Sequence, residues 1–388
     1  MNRVIALGFT ALLTGLIAGV LPSTSTQANS AAGLHFTTIQ MSSAKNGWGE
    51  IETGNGDWKI LHTTDGGVNW QDTAIIPMTC DVVIGNGAKA WYVQKSVHNN
   101  IQYATVYRAM SGGITWTASN TFPLPVGYSD RLQLTFTPSG RVGWLAITTG
   151  GNASQTLQLW RTVDSGDQWK LISNENPFDF LLGFRNAQDG WAECVHGGAP
   201  FADWLKRPDP NGEPVLYHTT DGGRTWKPQY LPVPDTLSQY NGHVSLGNTI
   251  WFGDEGFIPV SFTSDHPDMK WGVYVTKDGG DIWHFYMENA VANNYGSNLT
   301  QVNFSIVSPT DLFESVTALH ETNNGPYLAK STYMYFKSIP DHRWMQVSKT
   351  PVPFIQVQFV SKKVGFAITQ AGVLYKTLNG GHDWRTIG

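Results

Sequence analysis

Apolar and polar positions alternate in short runs along nearly the whole chain, as in Leu34-His35-Phe36-Thr37-Thr38-Ile39 and Phe354-Ile355-Gln356-Val357-Gln358-Phe359. A period of two over such runs predicts half-buried strands, and no stretch beyond residue 28 holds the 3.6-residue period of a helix. The runs come in sets of four. The second of each set is often introduced by glycine and an aromatic residue: Gly47-Trp48, Gly143-Trp144, Gly190-Trp191 and Gly365-Phe366. Ala90-Trp91, Thr249-Ile250-Trp251 and Asp311-Leu312-Phe313 fill the other three places. The third and fourth runs are joined by a recurring turn, Thr63-Thr64-Asp65-Gly66-Gly67-Val68-Asn69-Trp70, repeated almost verbatim from Thr219 to Trp226.

Further copies run from Thr162 to Trp169, from Thr276 to Trp283 and, with Asn379 in place of aspartate, from Thr377 to Trp384. A worn copy, Ala109 to Trp116, has Ser111 at the aspartate position, and Asp341-His342-Arg343-Trp344 fills the remaining place without glycines. The closing tryptophans recur at roughly 40 to 60 residues, the period of solenoids and propellers, in which each unit buries its faces only against its neighbours. The glycines supply the positive φ angles of a tight hairpin turn, the aspartate accepts bonds from the turn's own amides, and the tryptophan gives the next strand a large packing face. Asp65, Trp70, Ser111, Trp116, Asp164, Trp169, Asp221, Trp226, Asp278, Trp283, Asn379 and Trp384 are therefore assigned a structural role, in preference to calcium or substrate binding.

Four strands per unit and seven units predict an all-β chain: a seven-bladed β-propeller of four-stranded antiparallel blades. The blades fall at approximately 34–76, 77–122, 123–174, 175–232, 233–290, 291–350 and 351–388. The alternative is a six-bladed ring with the degenerate sixth unit as an insertion. Each of the seven units is complete in chain order, so closure is expected to rest on side-chain packing between blades one and seven. Ahead of them, residues 1–28 have the layout of a cleavable signal peptide: a basic start at Arg3, an apolar run from Val4 to Leu21, and small residues up to Ala28. The apolar run approaches spanning length, which leaves an uncleaved anchor as the alternative. The expected product is a secreted or extracytoplasmic propeller, residues 29–388.

Composition narrows the chemistry. The formal net charge of −5, with no basic run, argues against a nucleic-acid or anionic-membrane partner. Cys80 and Cys194, the two cysteines, fall in blades two and four, which are not adjacent in a ring, so two free thiols are expected and no disulfide. The chain has no His-Glu-x-x-His, no cysteine pair at zinc spacing, no phosphate-binding glycine loop and no Gly-x-Ser-x-Gly elbow. No cofactor or metal is expected.

The turn motif resembles the Asp-box (BNR) repeat of sialidases, sortilin-type receptors, some endoglucanases and the photosystem II stability/assembly factor family. Thr219 to Trp226 matches the repeat at every defined position, and the resemblance covers nearly the whole chain after the leader. Its relatives do different things, so it implies a fold before it implies a function. Sialidases require three arginines about the sugar carboxylate and an Arg-Ile-Pro signature; this chain has ten arginines and no such signature, and Arg161, Arg224 and Arg385 sit in or beside the turns. Endoglucanases with this repeat face two propellers across a cleft, and this chain is long enough for one. The likeness to the assembly-factor branch implies a single propeller without a catalytic centre. The photosystem-binding member uses an arginine patch that has no counterpart here, so a photosynthetic partner is not carried over.

Function is expected on the rim opposite the Asp-box turns, where long links from second to third strand gather. The reading places such links in blade four, from His196 to Pro214, and in blade five, from Gly253 to Lys270. The candidate ligand-binding residues are His196, Asp203, Trp204 and Arg207 in the first, and Asp254, Glu255 and Phe257 in the second. Aromatic rings beside carboxylates suit either sugar stacking or a protein contact. The expected function is a monomeric, non-catalytic binding or assembly scaffold whose partner is a protein client or an extracellular polysaccharide. The alternative is a carbohydrate-active enzyme or carbohydrate-binding module using the same loops, with Asp203, Asp254 and Glu255 as candidate carboxylates.

Overall fold

A computed structural model describes residues 28–77, 81–84, 87–124, 129–149, 156–174, 176–194, 216–232, 242–264, 270–287, 291–294, 299–322, 325–338 and 343–387. Seven antiparallel sheets follow one another along the chain, each built from consecutive strands, so the protein is a seven-bladed β-propeller. Four sheets have four strands and three have five. In blade one the extra strand is Ala28–Ser30, which pairs along the outermost strand, Asn69–Ile76. In blade two the fourth strand is split into Trp116–Ala118 and Phe122–Pro123. In blade five it is the first strand that is split, into Gly242–Leu246 and Ile250–Phe252. The described residues hold one short 3-10 turn, Val291–Asn294, and none of their helices is long and apolar enough to cross a membrane.

The glycine-aromatic pairs explain how the blades pack. Each glycine stands opposite the last residue of the first strand, which is bulky: Met41 faces Gly47, Phe136 faces Gly143, Phe184 faces Gly190, and Phe359 faces Gly365. A Cβ on any of these glycines would collide with that side chain. The ring so accommodated stacks on the second-strand aromatic of the preceding blade. Phe136 lies on Trp91 at 3.9 Å between centroids, Phe184 on Trp144 at 3.4 Å, and Phe359 on Phe313 at 3.8 Å. The Asp-box tryptophan then meets the same ring edge-on, as Trp169, Trp226 and Trp384 do at 5.9, 6.1 and 5.9 Å. Stacked and edge-to-face pairs add to the large area that each ring removes from water, and Trp48, Trp91, Trp144 and Trp191 are fully buried.

Blade five corrects one strand assignment. Thr249-Ile250-Trp251 belongs to the end of the first strand, and the second strand is Glu255–Ser264. The pair that follows the rule is Gly256-Phe257: Trp251 covers Gly256, stacks on Trp191 at 4.7 Å and meets Trp283 at 5.7 Å. A single Gly-Asp turn thus separates first and second strands at the place where the second-to-third-strand link from Gly253 to Lys270 was expected.

The ring closes without exchanging a strand. Gln356 and Gln358, on the inner strand of blade seven, reach the inner strand of blade one. The Gln356 amide accepts from the Ile39 N–H at 3.1 Å and donates to the Ile39 carbonyl at 2.8 Å. Gln358 does the same with Met41, at 2.9 and 3.0 Å. Two side-chain amides therefore stand in for the strand that would otherwise cover this edge. Gln133 makes a single bond of the same kind to the Leu181 N–H between blades three and four. Cys194 is buried and takes part in no disulfide, while Cys80 lies outside the described residues.

Candidate binding rims

In every blade that keeps the motif, the Asp-box turn and the turn between first and second strands lie on one rim and are tied together. The Gly66, Gly112, Gly222, Gly279 and Gly380 amides donate to carbonyls of Lys45, Ala88, Gln188, Asp254 and Lys363, and Ser165 does so to Arg141. The links from second to third strand therefore occupy the opposite rim.

The Asp-box residues behave as one device. The threonine hydroxyl donates to the aspartate and accepts from the second glycine amide, at 2.9 and 3.0 Å in Thr63 and at 2.9 and 2.9 Å in Thr219. The same aspartate oxygen accepts from one or two amides further on, those of Arg224 and Thr225 both lying 2.9 Å from Asp221. Asn379 reproduces this geometry with its side-chain carbonyl, accepting from Thr377 at 2.9 Å and from the Asp383 amide at 3.0 Å. In the worn copy the turn retains its form through Gly112 and Gly113, at φ +70° and +81°.

Partial burial raises the carboxyl of Asp65, Asp164 and Asp221, but the amide and hydroxyl bonds outweigh it and hold each below the ordinary aspartate range. In Asp278 the Thr276 hydroxyl is the largest influence, and the direction is the same. A carboxyl depressed in the folded state contributes stability above its unfolded pKa of roughly 3.9, and that contribution is lost as pH falls through the lower folded value. Asp221→Asn is accordingly expected to change stability by less than about 1 kcal/mol at neutral pH, since asparagine keeps the acceptor. It should also flatten the loss of stability below about pH 4 relative to the parent. Urea unfolding at pH 7 and at stepwise lower pH checks both.

The sequence-chosen ligand residues separate. His196, Asp203, Trp204 and Arg207 lie outside the described residues. Asp254, Glu255 and Phe257 are not in a second-to-third-strand link. Asp254 occupies the first-to-second-strand turn on the Asp-box rim, where the Arg185 guanidinium of blade four pairs with it at 2.8 Å and donates to the Gly279 carbonyl at 3.0 Å. Glu255 opens the second strand, and Phe257 is 2% exposed in the core between blades five and six. Asp254 and Phe257 therefore join neighbouring blades. His62 and His218, in matching positions, pack on Trp48 and Trp191 at 4.4 and 4.5 Å, the first tilted by 43° and the second stacked. Burial lowers the pKa of both rings, against a bond donated to the Gly87 backbone for His62 and the charges of Asp189 and Asp281 for His218.

On the other rim the blades are unequal. Residues 53–57 suffice to link second and third strands in blade one and 370–373 in blade seven, whereas blade four uses 194–215 and blade five only 265–269. Blades two and six differ in another way, with long hairpins. Ala90–His98 and Ile101–Ala109 are joined by Asn99 and Asn100, at φ +50° and +61°, and Asp311–Thr322 is followed by Gly325–Ser338. Val97 and Ile101, 41% and 44% exposed, flank the blade-two tip, and His98 sits beside Tyr103. Sequence reasoning passed over this tip; its signal was the Asn-Asn pair between two alternating runs. Among the described residues no three histidine, cysteine, aspartate or glutamate side chains converge to hold a metal ion.

No protein-family model matches the chain, and no curated protein matches it in sequence. Among solved structures it is similar to YCF48 bound to D1 peptide, at 15% identity over 93% of this chain and 97% of that one, with a TM-score of 0.51. It is also similar to the β-propeller domain of the trilobed protease from Pyrococcus furiosus, at 10% identity over 92% and 98%, with a TM-score of 0.53. That domain is described as having an open velcro topology. At these identities the likeness is one of fold.

Proposed function

We propose that the protein is an extracytoplasmic, non-catalytic binding or assembly scaffold whose ligand site lies on the rim opposite the Asp-box turns, around the blade-four link. The observation that carries this reading is the asymmetry of that rim. One blade devotes residues 194–215 to a connection that its neighbours in the fold make with a few residues, and long links on a rigid scaffold are disproportionately used for binding. That link contains Phe201, Asp203, Trp204, Lys206 and Arg207, a mixture of ring, cation and carboxylate suited to a protein segment. YCF48 with its D1 peptide is a precedent for a propeller of this kind holding a peptide; the partner of the present chain is not taken from it. The apolar run Val4–Leu21 and the small residues that follow support an extracytoplasmic destination.

A photo-crosslinking residue placed at Trp204, with another at Leu378 on the Asp-box rim as control, tests the proposal in cells of the source. A discrete protein adduct from position 204 alone, weakened by Arg207→Ala, is the expected result. Turnover of a polysaccharide by the purified protein, abolished by Asp203→Asn, would sink the scaffold reading in favour of an enzyme. Carbohydrate binding without turnover would leave a lectin-like module.

A further inference from the structure

Seven asparagines in the chain are followed by glycine, and in three of these pairs both residues are described: Asn46-Gly47, Asn55-Gly56 and Asn379-Gly380. Such a pair is prone to one covalent reaction, because glycine has no Cβ to crowd its own backbone nitrogen. That nitrogen, once hydroxide has taken its proton, attacks the carbonyl carbon of the asparagine side chain. A carbon–nitrogen bond forms, the side-chain nitrogen leaves as ammonia, and a five-membered succinimide remains. Water then opens the ring at either carbonyl, giving aspartate or its isomer isoaspartate, in which the main chain runs through the side chain. No enzyme is needed, only a carboxamide free to swing over the next peptide group. The three pairs differ in that freedom.

Asn55 has it. It stands exposed in the link between second and third strands of blade one. The turn is closed by its own backbone, with the Thr53 amide on the Asp57 carbonyl at 2.8 Å and the Gly56 amide on the Thr53 carbonyl at 3.0 Å. The Asn55 carboxamide has no hydrogen-bond partner among the described residues. Nothing lies within 4 Å of a Cβ built on Gly54 or Gly56, so little around the turn resists a local opening. Asn46 is more restrained: its side-chain nitrogen donates to the Ser43 hydroxyl at 3.3 Å, and Gly47 is held in a strand opposite Thr63 with Met41 against it. Asn379 is fixed throughout. Its Oδ1 accepts from the Thr377 hydroxyl at 2.9 Å and from the Asp383 amide at 3.0 Å, and its Nδ2 donates to the Asp383 carboxylate at 2.8 Å. The attacking nitrogen is held as well, since the Gly380 amide donates across the rim to the Lys363 carbonyl at 2.8 Å. These bonds must open together before the ring can close.

We propose that Asn55 is a site of spontaneous deamidation, and that the Asp-box of blade seven shields Asn379 from the same reaction. The consequences differ at the two places. Conversion of Asn55 adds a carboxylate to the rim opposite the Asp-box turns, in a link that already carries Asp57. At Asn379 an aspartate would be tolerated, being the residue of the other boxes, but an isoaspartate would insert an extra main-chain atom into the turn. The bonds that let asparagine serve in this box are thus the bonds that keep it from reacting.

Peptide mapping of the full-length protein, held folded in mildly alkaline buffer, reads each site by the mass gain of amide-to-acid conversion. Tryptic cleavage after Lys45, Lys59, Lys376 and Arg385 isolates residues 46–59 and 377–385, and fragment ions separate Asn46 from Asn55. Asn55 should convert at least about tenfold faster than Asn379, with Asn46 between them, because the box bonds must first be broken. In urea the three rates should converge. T377V/D383A leaves the Asn379 carboxamide one of its three bonds and should speed conversion there by about tenfold, with Asn55 unchanged. Near-UV circular dichroism confirms that this variant is folded; if it is not, the comparison of folded and urea-unfolded parent decides. Equal rates at Asn55 and Asn379 in the folded parent overturn the proposal, as does an Asn55 that converts only after unfolding. An unchanged Asn379 rate in folded T377V/D383A overturns the shielding.

Discussion

Gly280→Ala is expected to destabilise the propeller by about 2–5 kcal/mol, whereas Gly56→Ala costs about 1–2 kcal/mol. Both glycines have positive φ, +98° and +81°, so both substitutions incur the left-handed backbone penalty of about 1–2 kcal/mol. They differ in their surroundings. Nothing lies within 4 Å of a Cβ built on Gly56, while one built on Gly280 falls inside the six-membered ring edge of Trp191. That indole cannot retreat. His218 stacks on it at 4.5 Å with 7° between planes, Trp251 packs against it at 4.7 Å and Trp283 abuts it edge-on at 6.1 Å. Its Nε1 donates to the Gln229 side chain at 3.0 Å, and Gln229 in turn donates to the Gly280 carbonyl. Overpacking a fixed aromatic stack adds about 1–3 kcal/mol. Urea midpoints for the two variants check the difference; equal losses would mean that blades four and five slide past each other freely.

Gln356→Ala/Gln358→Ala is expected to cost about 2–4 kcal/mol and to loosen one seam of the ring. Four bonds to Ile39 and Met41 are lost, each worth about 0.5–1.5 kcal/mol. Both glutamines are half-buried, so water recovers part of the loss. Hydrogen exchange locates the effect: the Ile39 and Met41 amides should exchange much faster, while the Leu181 amide, held by Gln133, should not change. Gln356→Glu/Gln358→Glu should be at least as damaging, because carboxylates keep the acceptors but turn a charge toward the Ile39 and Met41 carbonyls. If both double variants match the parent, the seam is held instead by the apolar cluster of Phe36, Met41, Phe366 and Leu374.

The error in blade five shows where reading by repeat fails. A tryptophan after an apolar run fits the second-strand place, so the repeat by itself puts Trp251 there. Gly256-Phe257, only five residues on, was the true counterpart of Gly190-Trp191. The alternating pattern cannot distinguish the two, since both lie in strands with apolar inward faces. What distinguishes them is the residue opposite: Gly256 pairs with Thr276, the first residue of the box, as Gly190 pairs with Thr219. Shifting one strand carried Asp254 and Glu255 to the wrong rim and Phe257 from the core to a loop.

The number of units, the strands within most of them and the turns between third and fourth strands are legible in the sequence alone. These follow from interactions among residues a few positions apart, or from a repeat that restates the same local rule seven times. Tertiary structure alone decided that Trp191 meets the glycine of a turn nearly ninety residues away, that Arg185 neutralises Asp254, and that Gln356 and Gln358 clamp Ile39 and Met41. Each is a contact between neighbouring blades, set by how radial sheets tilt and abut, and no local period encodes which side chain of one blade reaches which backbone of the next.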